Sequence, residues 1–404
     1  MKKILLAVNS EYGQANVFLA VAHSLQALDS DVQIHFASFA PISDDVSSAS
    51  EYSRQCTQGA RPWHFHLLDG PNLMEAVKAM KGTEQLEAAL LKRPNFSSTT
   101  EVLSMVMSLL LPWDGPEFVQ IYKSFVRIVD DVQPDIIVVD SLLCPVLTAC
   151  RHLKYNHLVL SPNTLKDFAA ALQPWGAMFW KYPVMGSAIS FPVPLHLIPL
   201  NILLSLFQIY YALTDRSVRT TAGYVKHALG ADLVTFDTLM FRPLPGQQIL
   251  VANRPEIDFP LAAVPRNLTP CGPVIRPVPA VREVDAPLEA WLKQGPTVFI
   301  SLGTHREMGE EEAVEMAVAV MELLEAAEGV MGGLQVLWKL KKDKSGYGVG
   351  VGTKVYGVIG EQLEADRVRI VAWVKPQPSA VLQVGTVVCS VNHGGANSFH
   401  DALT

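Results

Sequence analysis

Cysteine is scarce in this chain of 404 residues. Cys56, Cys144, Cys150, Cys271 and Cys389 are scattered, odd in number and free of any C-x-x-C pair. Such a set argues against a disulfide framework or a zinc site and fits a reducing, cytoplasmic compartment. Charge is also sparse, at 18% of residues with a net charge of −7 and no basic stripe, which speaks against a nucleic-acid partner. There is no acidic cluster of the kind that holds a metal, and no metal is expected. The first turn, Asn9 to Gln14, holds a single glycine, so the G-x-G-x-x-G of a dinucleotide site is missing. No apolar run is both long and unbroken. MKKILLAVNS is too short for a signal peptide and reads as a first buried strand. Residues 191–211, FPVPLHLIPLNILLSLFQIYY, are interrupted by Pro192, Pro194, Pro199, His196, Asn201 and Gln208. A spanning helix needs about 20 predominantly apolar residues, so this stretch reads as a core helix or pocket cover. Reversible membrane contact is its secondary reading.

A hydrophobic content of 49% over this length predicts well-buried globular structure in two domains. Ile4 to Val8, then helix-spaced Val17, Phe18, Val21, Ala22, Leu25 and Leu28, then Val32 to Phe36, make a β–α–β unit and imply a parallel sheet. Ligands gather at the carboxyl ends of such strands, which makes Asn9 to Gln14 a site-facing loop. Trp63 to His66 alternates like a strand with both histidines on one face; without a recognisable third ligand, their reading is structural or solvent-facing. Leu73 to Leu91 and Glu101 to Leu111 look helical. An amphipathic helix, Glu117 to Val132, precedes the strand Ile136 to Asp140. Asp140 or Ser141 either caps the helix through Cys150, worth about 1 kcal/mol, or Asp140 is a site acid. Leu233 to Phe236 and Ile249 to Val251 read as closing strands of a first domain, 1–251. Seven prolines between Pro255 and Pro279 mark 252–290 as a linker. The second domain, 291–404, opens on strand Thr297 to Ile300 and the small-residue turn Ser301-Leu302-Gly303-Thr304, followed by His305, read mainly as a solvated loop residue. An acid-led helix, Glu310 to Glu328, and a strand, Gln335 to Leu340, follow.

The chain closes on SVNHGGANSFHDALT. A short β-rich run gives way to His393-Gly394-Gly395, then a helix opening at Asn397 and Ser398. A glycine turn before a helix start presents free backbone N–H groups and the positive end of a dipole, an arrangement that binds phosphate. On the turn alone, an ordinary β–α connection is the stronger reading. Upstream stand Trp373, Pro376 and Gln377 after a strand, then Leu382, and eleven positions later His393 with Gly395, Asn397, Ser398 and Asp401.

Those residues resemble the donor-binding signature of the family 1 UDP-glycosyltransferases, of the fungal type. The resemblance implies two Rossmann-like α/β domains facing a cleft, the GT-B arrangement. It implies transfer of a hexose from a UDP-sugar to a hydroxyl of an apolar small acceptor, with inversion and without a cofactor. By that resemblance Trp373 stacks on uracil and Gln377 lies at the base. Asp401 takes the ribose hydroxyls. Ser301, Gly303, Thr304, His393, Gly395, Asn397 and Ser398 hold the diphosphate. Asp140 matches the acid that orients the family's basic histidine, but Gly13-Gln14-Ala15-Asn16 puts Gln14, which takes no proton near neutral pH, where that histidine stands. Asp140 acting directly, or Glu11 in the same loop, is left as the substitute base. WVKPQ carries one residue more than the usual W-x-P-Q, and Asp401 replaces a Glu. The family's acidic–Gln pair has no counterpart before Thr404, so the second domain is expected to be incomplete, truncated within the signature. Two other classes stay open: a non-catalytic nucleotide- or lipid-binding relative, which Gln14 favours, and a Rossmann-type oxidoreductase.

Overall fold

The computed structural model describes residues 2–80, 92–304 and 306–403. The chain divides into two units, Met1–Val274 and Ile275–Thr404. In the first, β1 (Lys3–Ala7) leads through α1 (Tyr12–Leu28) to β2 (Gln33–Ser38) and β3 (His64–Leu67). Next come α2 (Leu73–Ala79), α3 (Phe96–Leu110), α4 (Gly115–Val132), β4 (Ile136–Asp140), α5 (Cys144–His152) and β5 (His157–Ser161). Helices α6 (Ile198–Thr214) and α7 (Arg216–Leu229) precede β6 (Ile249–Val251) and β7 (Leu268–Pro270). The strands form one sheet in the order β3-β2-β1-β4-β5-β6-β7, and every pairing is parallel.

The period of two along each strand divides the core. Leu5, Ala7, Ile137 and Val139 face one layer with Phe118, Ile121 and Phe125 of α4. Leu6, Val8, Ile34, Phe36 and Val138 face the other with Val17, Phe18 and Ala22 of α1. Helix α4 starts on a reciprocal cap: Asp114 accepts from the Glu117 N–H at 2.9 Å, and Glu117 from the Asp114 N–H at 3.0 Å. It ends where Gln133 turns left-handed, φ 51°, just before Pro134.

The second unit contains α8 (Ala286–Leu292), β8 (Thr297–Ser301), α9 (Glu310–Ala327), β9 (Gln335–Lys339), α10 (Lys354–Glu364), β10 (Val368–Val371), α11 (Pro378–Leu382), β11 (Val387–Asn392) and α12 (Ala396–Ala402). Its parallel sheet runs β10-β9-β8-β11. Val298, Ile300, Val336 and Trp338 pack under α9. Phe299 and Leu337 pack on the opposite face with Trp291 and Val381.

Several expectations change. Residues 252–290 are not a linker throughout, although the boundary between the units, after Val274, falls within them. Leu268–Pro270 adds an edge strand to the first sheet, where a proline is tolerated. Val281, Leu288 and Trp291 are buried in the second unit's core. The first unit therefore runs past 251 to Val274. Leu233 to Phe236 is no strand: Thr238 Oγ1 accepts from the Thr235 N–H at 3.1 Å, and a helix starts at Phe236. The predicted helix Leu73 to Leu91 is found as α2; 81–91 and His305 lie outside the described residues. His64 and His66 are joined by His35 on the neighbouring strand, with His35 Nδ1 2.9 Å from His66 Nε2. Among the described residues no group of His, Cys, Asp or Glu side chains is placed to hold a metal.

Candidate functional site

Both sheets reverse their direction of growth at one point. The first grows outward from β1 to β2 and β3, then from β4 the other way, so β1 and β4 lie side by side. The second reverses between β8 and β11. Chain leaving adjacent strand ends in opposite directions opens a crevice there, and ligands of such sheets bind in it.

At the first crevice the chain leaves β1 through the fully buried Asn9. Ala7 pairs with Val139, which sets Asn9 against Asp140. The Asn9 backbone N–H (3.2 Å) and Nδ2 (2.9 Å) both donate to Asp140 Oδ2. Oδ1 accepts from the Leu142 N–H at 3.0 Å. Asp140 therefore does not cap α5, whose N-cap position, Leu143, carries no side-chain bond. Ser141 bonds Ser161 instead, 2.8 Å between the hydroxyls. Burial outweighs the three bonds to Asp140 and raises its carboxyl to about 6.

Glu11 closes the same turn. Its carbonyl accepts from the N–H groups of Gln14 and Ala15, both at 2.9 Å, and starts α1. Its Oε1 accepts from the Met74 N–H of α2 at 3.2 Å. Its Oε2 is buried with no hydrogen-bond partner among the described residues, and so are Gln14 Oε1 and Asn9 Oδ1. Burial raises Glu11 to about 7, with the nearby Asp140 charge adding to the effect. Three buried acceptors on one turn call for hydrogen-bond donors, and Glu11 alone among them can also take a proton near neutral pH.

At the second crevice, Asn392 of β11 pairs with Ser301 of β8. That register brings together two turns about ninety residues apart. Gly303 has φ +82°, and a Cβ on it would lie 2.6 Å from His393 Cε1. A Cβ on Gly395 would lie 2.4 Å from His393 Nε2. The imidazole thus occupies a slot that exists because both neighbours are glycine. Asn392 Oδ1 accepts from the Gly394 N–H at 2.9 Å, and α12 begins at once, with Asn397 and Ser398 in its first turn. Asp401 follows on the same helix, raised to about 6 by burial. Gln377 is the N-cap of α11, which packs against α12.

Trp373 is 53% exposed, while Val374 beside it is buried. Lys339 links Trp373 to the glycine turn. It ends β9, opposite Ser301 on one side and Val371 on the other. Its Nζ lies 3.8 Å from the Trp373 ring centroid and 3.3 Å from the Gly303 carbonyl oxygen. Burial, helped by Lys341, lowers its pKa. Sequence reading passed over Lys339; the strand-end rule that marks Ser301 marks it equally. Lys341 donates to the Thr304 carbonyl at 3.3 Å and pairs with Glu307. The structure therefore gathers Ser301, Gly303, Thr304, His393, Gly395, Asn397 and Ser398 around one crevice, with Trp373 tied to it through Lys339.

No family model matches the chain. A curated relative, the glycosyltransferase sdnJ of Sordaria araneosa, is 29% identical over 404 residues, covering 99% of this chain and 77% of the relative. Among solved structures, Medicago truncatula UGT71G1 complexed with UDP-glucose superposes with a TM-score of 0.56 at 13% identity, covering all of this chain and 78% of that one. A complex between 3,4-dichloroaniline and a UDP-glucosyltransferase from Polygonum tinctorium capable of glucosylating indoxyl gives a TM-score of 0.55 at 13% identity, over 100% and 77% of the two chains. Signature, relative and fold converge: the chain has the GT-B fold and is similar to the UDP-glycosyltransferases.

Proposed function

We propose that the chain transfers a hexose from a UDP-sugar to a hydroxyl of an apolar small-molecule acceptor, with inversion, and that Glu11 is the base. The observation that carries the second part is the buried, unpartnered Oε2 of Glu11 on a carboxyl poised at about 7. A general base works best when its pKa lies near the operating pH. The acceptor hydroxyl gives its proton to Glu11. Its oxygen bonds the sugar's anomeric carbon as the bond from that carbon to the UDP oxygen breaks, and a single displacement inverts the centre. The electron pair leaves on UDP. Lys339, the amides of the Gly303 and Gly395 turns, and the hydroxyls of Ser301, Thr304 and Ser398 are the groups that offset that charge. Asp140, held by Asn9 and Leu142, orients the turn rather than taking the proton. The site uses no resident cofactor or metal in this reading; the UDP-sugar is a co-substrate.

Gln14 supports a second reading, a chain that binds the nucleotide without turnover. Glu11→Gln separates them. Removing a positioned base costs typically 10²–10⁴-fold in rate, so transfer to a panel of phenols and alcohols is expected to fall by that order. UDP should still raise the melting midpoint, and NAD should not. Equal transfer by wild type and Glu11→Gln sinks the base assignment. UDP stabilisation without transfer to any acceptor supports the binding-only reading.

A further inference from the structure

Helix α6 is apolar on two sides, and only one of them is used. From Tyr182 to Thr214 the chain carries no Asp, Glu, Lys or Arg. The inner side of α6 is fastened to the first unit. Asn201 Nδ2 donates to the carbonyls of Phe179 and Tyr182, both at 2.9 Å, and Oδ1 accepts from the Val184 N–H at 3.0 Å. Leu204 packs with Leu103 of α3, and Phe207 meets Phe96 edge-on. Drawing α6 out would strip these bonds. By length and composition the helical stretch Leu195–Leu229 is long and apolar enough to cross a membrane; the bonds of Asn201 and the packing of Leu204 and Phe207 hold its inner side to the first unit instead.

The outer side has no such partners among the described residues. Ile202, Leu206, Ile209 and Leu213 recur at i, i+4, i+7 and i+11, one stripe of a helix, with Leu203 and Tyr210 beside it; all six are exposed, Leu206 at 52% and Leu213 at 67%. Trp180 is exposed on the short segment that packs against α6, and Trp175 just before it is 92% exposed. Along the segment that carries the stripe the charges are almost all of one sign. Between Phe168 and Leu229 the sole carboxylate is Asp215, and it is engaged, by the Ser108 hydroxyl at 2.9 Å and the Val218 N–H at 3.0 Å. Against it stand Lys181, Arg216 and Arg219, in a chain whose net charge is −7. Arg219 donates to the Leu213 carbonyl, which fixes its guanidinium at the end of the stripe.

We propose that this face docks on an anionic lipid surface. Helix α6 lies in the plane of the interface, Leu206 and Leu213 enter the acyl boundary, Arg216 and Arg219 meet lipid phosphates, and the Trp and Tyr rings sit at headgroup level.

Co-sedimentation of the full chain with phosphatidylcholine vesicles, with and without phosphatidylserine, tests this. Binding is expected to the mixed vesicles, weaker to phosphatidylcholine alone and weaker in high salt. The double change Leu206→Glu with Leu213→Glu should lower partition by about tenfold or more. Arg216→Gln with Arg219→Gln should remove the preference for anionic lipid at an unchanged melting midpoint. At ~1 kcal/mol for each basic side chain near such a surface, that loss is about thirtyfold. A chain that stays in the supernatant with mixed vesicles overturns the proposal, whether light scattering finds it monomeric or a dimer that Leu206→Glu dissociates.

Discussion

Glu11 and Asp140 hold their protons above the ordinary carboxylate range, at about 7 and about 6, because burial costs the charged form more than their hydrogen bonds return. Both values are raised from references of 4.5 and 3.8, so the folded chain binds these protons more tightly than the unfolded one. Their contribution to stability is complete below about pH 4 and is lost as pH rises through about 6 to 7. The melting midpoint should therefore fall across that window, and Glu11→Gln should flatten part of the fall. An unchanged slope in Glu11→Gln would show that Glu11 titrates as an ordinary surface acid. Catalysis runs the opposite way. A base must be unprotonated, so kcat/KM should climb through about pH 7 while stability declines. The same desolvation that makes Glu11 a useful base makes the turn that carries it less stable at the pH where it works.

Among the elements, the strand ends were readable from sequence and their neighbours were not. Runs such as Ile136 to Val139 announce buried parallel strands, and a strand end followed by polar or glycine residues announces a site. That reasoning put Asn9 to Glu11, Asp140, Ser301 and His393 at or just beyond strand ends, and the strand order and register find them there. It could not supply register. Lys339 gains its meaning only because β9 lies between β8 and β10, and His35 only because β3 pairs with β2. Prolines between 252 and 290 exclude helix interiors but not order, which depends on distant partners such as Ile249, the partner of Leu268. Whether Lys339 acts on the nucleotide or on the ring is testable. Trp373→Ala should weaken UDP and uridine alike, by about 1–3 kcal/mol if base stacking is lost. Lys339→Met should weaken UDP by about 1.5–3 kcal/mol, the range for a hydrogen bond to a charged group, and leave uridine nearly unchanged. Equal losses for both ligands in titration calorimetry would reduce Lys339 to a support for Trp373.

Each unit of the molecule owns a sheet and a two-layered core, and this bears on where the first one ends. Pro-rich composition after Val251 suggests a boundary there; the packing moves it to Val274. The difference is β7. It pairs with β6 through Leu268, Thr269 and Pro270, and Leu268 is 5% exposed in the same core layer as Ile249 and Val251. Cys271 N–H also donates to the Val251 carbonyl at 2.9 Å, and Gly272 N–H to Asn253 at 3.2 Å. A fragment of residues 2–251 loses these bonds, leaves β6 as an open edge and uncovers apolar side chains worth about 1.5–3 kcal/mol each. Against net stabilities of roughly 5–15 kcal/mol for a domain, that is a large share. A fragment of residues 2–274 keeps the seven-stranded sheet whole. Thermal unfolding followed by circular dichroism should show a cooperative transition for 2–274, and for 2–251 a lower, broader one or aggregation. If 2–251 melts as high and as sharply, β7 is an ornament on the sheet and the boundary belongs at 251. If 2–274 shows no transition at all, the first unit depends on the second for its stability, and the independence inferred from its two core layers is wrong.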